Sequence, residues 1–351
     1  MAAAEIDAAR VPARPRGLVF AGLILLALAL FLAELALGPV RIAPGEILRA
    51  LTGAADPATV AILGAIRLPR ALLGLAVGTA LGLAGAATQG ILRNPLADPG
   101  LIGVTGGAAL GAVSILVLGG PLAGGLPEAA RPWLLPAAAF LGAGVVTLFV
   151  FTVARRGGVT SVATLILAGV AVNALVGAVI GMLAYVSDDR QLRDLTFWTM
   201  GSLGGAGWPL VLVALAIAFA TGVALLAFAR ALDLFQLGER AAFHSGLDIE
   251  RAKLWIGVLT ALGVGAVTAA AGPIGFVGLI APHMARAMVG HGHRAMLPAA
   301  ALTGIALVLS ADLAVRLAVP PAEPPIGLAM SLIGGPFFLW LLTRRMRGEG
   351  L

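Results

Sequence analysis

RLPRALLGLAVGTALGLAGAATQGILRNPLADPGLIGVTGGAALGA, residues 67–112, is the stretch on which the fold turns. Residues 71–91 are apolar almost without interruption, and a second apolar run covers 100–119. Neither run alternates with period two, so the strands of a barrel are excluded. Each is about 20 residues long, the length a helix needs to cross a bilayer. The rest of the chain has the same character. Its 351 residues are 60% hydrophobic and 11% charged, with a mean hydropathy of +1.03. A soluble domain carries about 25% charged residues. A surface this poor in charge needs lipid as its solvent, and lipid forces the backbone to satisfy its own hydrogen bonds in helices. The 48 glycines and 21 prolines then signify close helix packing and broken helices rather than loops.

Ten apolar stretches of helix length fall near 18–38, 71–91, 100–119, 133–154, 162–185, 208–229, 254–271, 274–290, 296–317 and 326–343. The fold class is therefore all-α and polytopic. LRDLTFWTMGSLGGA (192–206) is too short to span and predicts a re-entrant or interfacial helix anchored by Phe197 and Trp198. Arg10, Arg14 and Arg16 precede an apolar run from Leu18 to Leu37, too long for a signal-peptide core, which predicts a retained signal anchor. Ten spans put both termini on one side. With the termini inside, fifteen Arg and Lys side chains lie inside and eight outside. The positive-inside rule then places both ends in the cytoplasm. The longest cytoplasmic loop, RALDLFQLGERAAFHSGLDIERAK (230–253), is amphipathic and punctuated by Gly238 and Gly246. It predicts two short helices joined by a turn, either an ordinary connector or a functional element.

Several chemistries are excluded. The chain has no cysteine, hence no disulfide, thiolate metal site or cysteine nucleophile. It contains no G-x-x-x-x-G-K-[ST] loop to cradle ATP, no H-E-x-x-H and no G-x-S-x-G. Nothing asks for a cofactor. His283, His291 and His293 form a loose cluster without the carboxylate spacing a metal site wants, and read as polar residues at a helix end. The high pI of about 11.2 comes from arginines that set topology, not from a nucleic-acid surface. Embedded charges are few: Glu34, His283, Arg286, Asp312 and Arg316. They do not make the chain of ionisable groups that a proton-driven secondary transporter shows across the midplane, so the energy must come from elsewhere. Arg67 and Arg70 open the second span and Arg316 closes the ninth, all on the outer side. They are either interfacial arginines that snorkel or a basic rim for an acidic partner. Asp312 stands four residues before Arg316, on the same helix face, a spacing that lets the two pair.

Residues 67–112 closely resemble the permeases of the FecCD type, which import ferric siderophores, haem or cobalamin. Five further motifs follow in order: LILAGVAVNALVGAVI (165–180), FWTMGSLGGAGW (197–208), LGERAAFHSGLDIERAK (237–253), GPIGFVGLIAPHMAR (272–286), and ADLAVRL (311–317) with PPIGLAMSLIGGPFFLWLL (324–342). Together they cover residues 18–345, leaving short cytoplasmic tails at 1–17 and 346–351. Pro324 departs from the pattern, which more often has Leu before Pro-Ile-Gly. The resemblance implies a homodimer in the bacterial inner membrane, with the path on the dimer axis. It implies a periplasmic substrate-binding protein above and two cytoplasmic ATP-binding subunits below, which hydrolyse the ATP. By position it assigns Arg67, Arg70 and Arg316 to docking of the binding protein, and Gly238, Glu239, Arg240 and Gly246 to ATPase coupling. Thr160 and Ser161 match the neighbourhood of the cytoplasmic gate. It also implies that spans 2–5 and 7–10 form an inverted repeat. The expected function is non-enzymatic: import of an iron complex, haem first or a ferric siderophore, by alternating access. A cobalamin permease of the same type, and a secondary transporter, are the alternatives.

Overall fold

A computed structural model describes residues 16–320 and 322–346. Most of each expected tail, with Arg10, Arg14 and Arg347, lies outside the described residues. The helices run in chain order as α1 (Arg16–Ala36), α2 (Pro44–Leu51), α3 (Pro57–Ile62), α4 (Leu68–Leu92), α5 (Val104–Leu118), α6 (Gly120–Gly125), α7 (Arg131–Ala154) and α8 (Val162–Val186). They continue as α9 (Asp189–Met200), α10 (Trp208–Ala227), α11 (Ala229–Gln236), α12 (Glu239–His244), α13 (Ile249–Ala271), α14 (Val277–Val289), α15 (His293–Ala318) and α16 (Ile326–Met346). Each of the ten apolar stretches lies on its own helix: α1, α4, α5, α7, α8, α10, α13, α14, α15 and α16. Seven helical stretches among the described residues are long and apolar enough to cross a membrane; α5, α14 and the apolar part of α16 are shorter.

Two of the short helices start later than their apolar runs suggest, and the cause is local. Before α5 the chain makes a single 3-10 turn at Pro99–Ile102 and then passes through Gly103 at φ +86°. Before α14 it passes through Gly272 at φ +71° and Phe276 at φ +66°. Pro99 and Pro273 have no N–H to give, and the residue before a proline avoids the helical region. The two broken helices occupy the second place in spans 2–5 and in spans 7–10. A different irregularity precedes α4. Leu63–Arg67 form a π turn that joins α3 to α4. Pro69 removes the bond that would return to Ala65, and the widened turn falls where that bond is missing.

Helix α4 is the axis of the packing. Nearly all its residues from Pro69 to Leu92 are buried, against α15, α10, α13 and α14. Gly78, Gly82 and Gly85 share one face and set the closest approach. A methyl group at Gly78 would overlap the backbone of Gly304 and Ile305, one at Gly82 the Ala300 carbonyl, and one at Gly85 the Gly278 carbonyl. Such backbone-to-backbone seams supply the van der Waals contact that holds helices together where lipid offers no hydrophobic drive. Helix α8 is the opposite case. Only the stripe Leu165, Ala168, Gly169, Val172 and Val176 is buried, and Leu167, Leu175 and Met182 face outward.

The 192–206 segment forms the twelve-residue helix α9, started by a capping box between Asp188 and Gln191. The 230–253 loop forms α11 and α12, as its punctuation predicts. Not foreseen is a small hairpin between α7 and α8. Strands β1 (Arg155–Arg156) and β2 (Val159–Thr160) pair antiparallel around Gly157 and Gly158, both at positive φ. That is the conformation a tight two-residue hairpin turn demands.

Candidate functional site

One end of the bundle carries the three arginines that open α4 and close α15. The sequence suggests an exposed basic rim; the structure buries all three, at 4%, 4% and 2% exposure for Arg67, Arg70 and Arg316. Each already has a partner. Arg70 grips Asp312 with two bonds, Nε to Oδ2 at 2.7 Å and Nη2 to Oδ1 at 2.9 Å. Its Nη1 holds the partly exposed Glu323. Arg316 donates to Glu34 Oε2 at 2.5 Å and to the Glu34 carbonyl at 3.2 Å. Arg67 donates to the carbonyls of Leu35 and Val40. The expected pairing of Asp312 with Arg316 is therefore replaced by two pairings between helices. A same-helix pair would leave Glu34 buried without a partner and Arg70 with Glu323 alone, which is costly; cross-helix pairing gives each of the four a charged partner. Arg67 completes the set by capping the carbonyl end of α1, where the helix dipole favours a cation. Three guanidiniums and three carboxyl groups, Glu34, Asp312 and Glu323, are thus gathered in one cluster, Arg70 and Arg316 paired with acids and Arg67 with carbonyls.

The other end of α4 lies about 37 Å away, from 25 residues at 1.5 Å each. There α11 and α12 meet at Leu237 and Gly238, whose φ of +99° only glycine adopts without strain. Gly246, at φ +81°, closes the segment after α12 and donates to Phe243 O. Helix α12 turns Arg240, Phe243 and His244 outward and buries Ala242. Glu239 turns inward to Lys253 Nζ at 3.0 Å. Lys253 also donates to the Thr160 carbonyl at 2.7 Å. Glu250 accepts from the Thr160 N–H at 3.0 Å and from its hydroxyl at 2.6 Å. Ser161 is exposed and caps α8, accepting from the Thr164 N–H. The structure thus joins Glu239 and Thr160, two residues singled out separately in the sequence, through one lysine. It leaves Arg240 outside that cluster. Sequence reading missed Lys253, Glu250 and Glu323, and named Glu34 as an embedded charge without its partner Arg316. A lone lysine at the end of the 237–253 motif and a carboxylate inside an apolar run were the available signals.

Between α4 and α5, Asp98 opens the 3-10 turn by accepting from the Gly100 N–H at 2.8 Å. Burial raises its carboxyl above the ordinary range, opposed only in part by that bond. Gly278 of α14 leaves room for it: a methyl there would meet Asp98 Oδ2 at 3.0 Å. A raised folded-state pKa means that the charge costs stability above the ordinary carboxylate range and that the cost vanishes in acid. Asp98→Asn keeps the acceptor and drops the charge. It is expected to match or exceed the wild type in thermal unfolding at pH 8, with the difference shrinking at pH 4. Asp98→Ala loses the bond as well and should cost about 0.5–1.5 kcal/mol relative to the Asn variant. Equal losses in both variants at pH 8 would show that the carboxylate charge itself is needed.

A membrane bundle of ten apolar helices, with an α11–α12 element outside the spans and no sequence motif for ATP, has the layout of a transport permease. The FecCD transport family model matches residues 25–344. The chain is 46% identical over 280 residues to the hemin transport system permease protein HmuU of Yersinia pestis, covering 80% of this chain and 82% of that one. It is 42% identical over 284 residues to the cobalamin import system permease protein BtuC of Halobacterium salinarum, covering 81% and 74%. A solved structure of a metal-chelate type ABC transporter, in an inward-facing conformation, superposes with a TM-score of 0.82 at 31% identity. That match covers 93% of this chain and 99% of the other. The chain belongs to the FecCD transport family and is a permease subunit of an ABC transporter.

Proposed function

We propose that this permease imports an iron complex, haem foremost, across the bacterial inner membrane with both termini in the cytoplasm. The observation that carries the cargo is the 46% identity to a hemin permease over most of both chains. The second reading is cobalamin, favoured by the 42% identity to a cobalamin permease. The subunit works as a homodimer, with the path between two copies; the outward apolar side chains of α8 and α16 supply surface for lipid and for the second copy. Two ATP-binding subunits supply the energy by hydrolysing ATP. They dock on the exposed Leu237, Arg240 and Phe243 around Gly238, Glu239 and Gly246.

A periplasmic binding protein sits at the opposite end. Its acidic groups meet the surface over Arg67, Arg70 and Arg316, and Glu323 is the one carboxylate of the cluster within reach of solvent, at 41% side-chain exposure. Because the three guanidiniums are buried and already held by partners within the chain, docking there relies on short-range contact rather than on a long-range positive field. A deletion strain supplied with haem, siderophore iron or cobalamin in turn tests the cargo. The expected defect is growth on haem as sole iron source. Normal growth on every iron source together with failed cobalamin uptake replaces haem by the second reading.

A further inference from the structure

We propose that Lys253 is a positioning residue that ties the α12 coupling helix to the β1–β2 hairpin, so that movement of α12 reaches Thr160 and Ser161 through a single ammonium group. The proposal rests on the reading of α12 as the ATPase dock and of Thr160 and Ser161 as the gate region.

Lys253 is the only lysine in the 351 residues and is 1% exposed, although it lies in the second turn of a helix that begins at the polar end of the bundle. A lysine there could snorkel to water at little cost. Instead its ammonium group is enclosed, donating to the Thr160 carbonyl at 2.7 Å and pairing with Glu239 Oε1 at 3.0 Å and, more loosely, with Glu250 Oε1 at 3.7 Å. An ammonium has three tetrahedral donors, so it can serve α12 and the hairpin at once. Glu250 closes the ring by holding the Thr160 N–H and hydroxyl with its other oxygen. The hairpin is thus attached to α13 by both ends of one ion pair, and α12 is attached to the same ion pair by Glu239. Helix α12 is otherwise bounded by Gly238 and Gly246, both in left-handed conformations, so it can tilt as a short rigid piece. When it tilts, Glu239 draws on Lys253. Lys253 is buried while Glu239 and Glu250 are partly exposed, and parting an enclosed ammonium from its acceptors is unfavourable, so Lys253 and the Thr160 carbonyl follow rather than separate. Arg240, Phe243 and His244 stay on the far side of α12, free to face a partner.

The absence of cysteine makes the test direct. Phe243→Cys on α12 and Ser161→Cys beside the hairpin are made singly, in the full permease assembled with its ATPase subunits in lipid. The accessibility of each thiol to a polar maleimide is read with and without ATP. In the wild-type background ATP should change both. In the Lys253→Met background it should change only the thiol at 243. The substrate moved per ATP hydrolysed should fall about tenfold, within the range of coupling between two sites. Lys253→Arg keeps the charge but not the tetrahedral donors, and should restore part of the ratio. Should Lys253→Met fail to fold in the membrane, Lys253→Arg and Glu250→Gln carry the same measurement, each with a smaller loss at position 161. A response at 161 that survives in every assembled variant overturns the proposal, as does loss of ATPase binding in Lys253→Met. If ATP changes neither thiol in the wild-type background, the docking reading of α12 falls and the linkage falls with it.

Discussion

Asp312→Ala should destabilise the folded permease by about 3–5 kcal/mol, the cost of leaving a buried ion pair half-made. Asp312 is 1% exposed and takes two bonds from Arg70, itself 4% exposed. Without it, three buried guanidiniums face one buried carboxylate, Glu34, and the partly exposed Glu323. Buried inside the packed helices, such a surplus charge is cut off from water. The compensated variant Arg70→Met with Asp312→Leu should recover most of the loss, because apolar residues of similar volume can replace a buried pair at little cost. Glu323 would then be freed to solvent, which it already touches. Thermal unfolding of the detergent-purified permease, measured on Arg70→Met, Asp312→Leu and the two together, gives the interaction energy as a cycle. A strictly additive double variant would mean that the two side chains do not depend on one another.

The second large effect is expected at Gly85. A side chain there would occupy the space of the Gly278 carbonyl, so Gly85→Val forces α4 and α14 apart along their whole crossing. Ordinary overpacking costs about 1–3 kcal/mol because neighbouring side chains can shift. Here the obstacle is backbone on both sides, so the loss should lie at or beyond the top of that range, and little folded protein should be recovered. Gly144 supplies the control. It lies inside α7 with nothing within 4 Å of an added methyl. Gly144→Ala should stabilise by about 0.5–1 kcal/mol through helix propensity alone. A tolerated valine at 85 would show that the α4–α14 seam is looser than drawn.

These two sites also show where sequence reading succeeds and where it stops. The ten spans were legible because lipid imposes one length and one composition on each. The α11–α12 pair was legible because Gly238 and Gly246 punctuate it. The late starts of α5 and α14 were not, since an apolar run continues through Gly103 and Phe276 while the backbone does not. The ion cluster failed for a different reason. Spacing offers Asp312 a partner four residues away, whereas its true partner is 242 residues distant. Helical periodicity reports which residues share a face, and is silent on which face meets which. The same limit hid Lys253, whose acceptor on the β1–β2 hairpin lies 93 residues earlier.

The pairing of Glu34 with Arg316 spans 282 residues of chain. At about 5–20 residues per second of synthesis, the arginine emerges about 14–56 s after the acid. Helix α1 is therefore made well before α15 and waits with the Glu34 carboxyl group unpaired. Its place near the end of α1, two residues before Ala36, lets it wait at the water boundary rather than in the hydrocarbon. Helix α1 docks on α15 only after α15 has been made, and a chain truncated before α15 would keep the Arg67 cap on α1 but lose the α1–α15 seam.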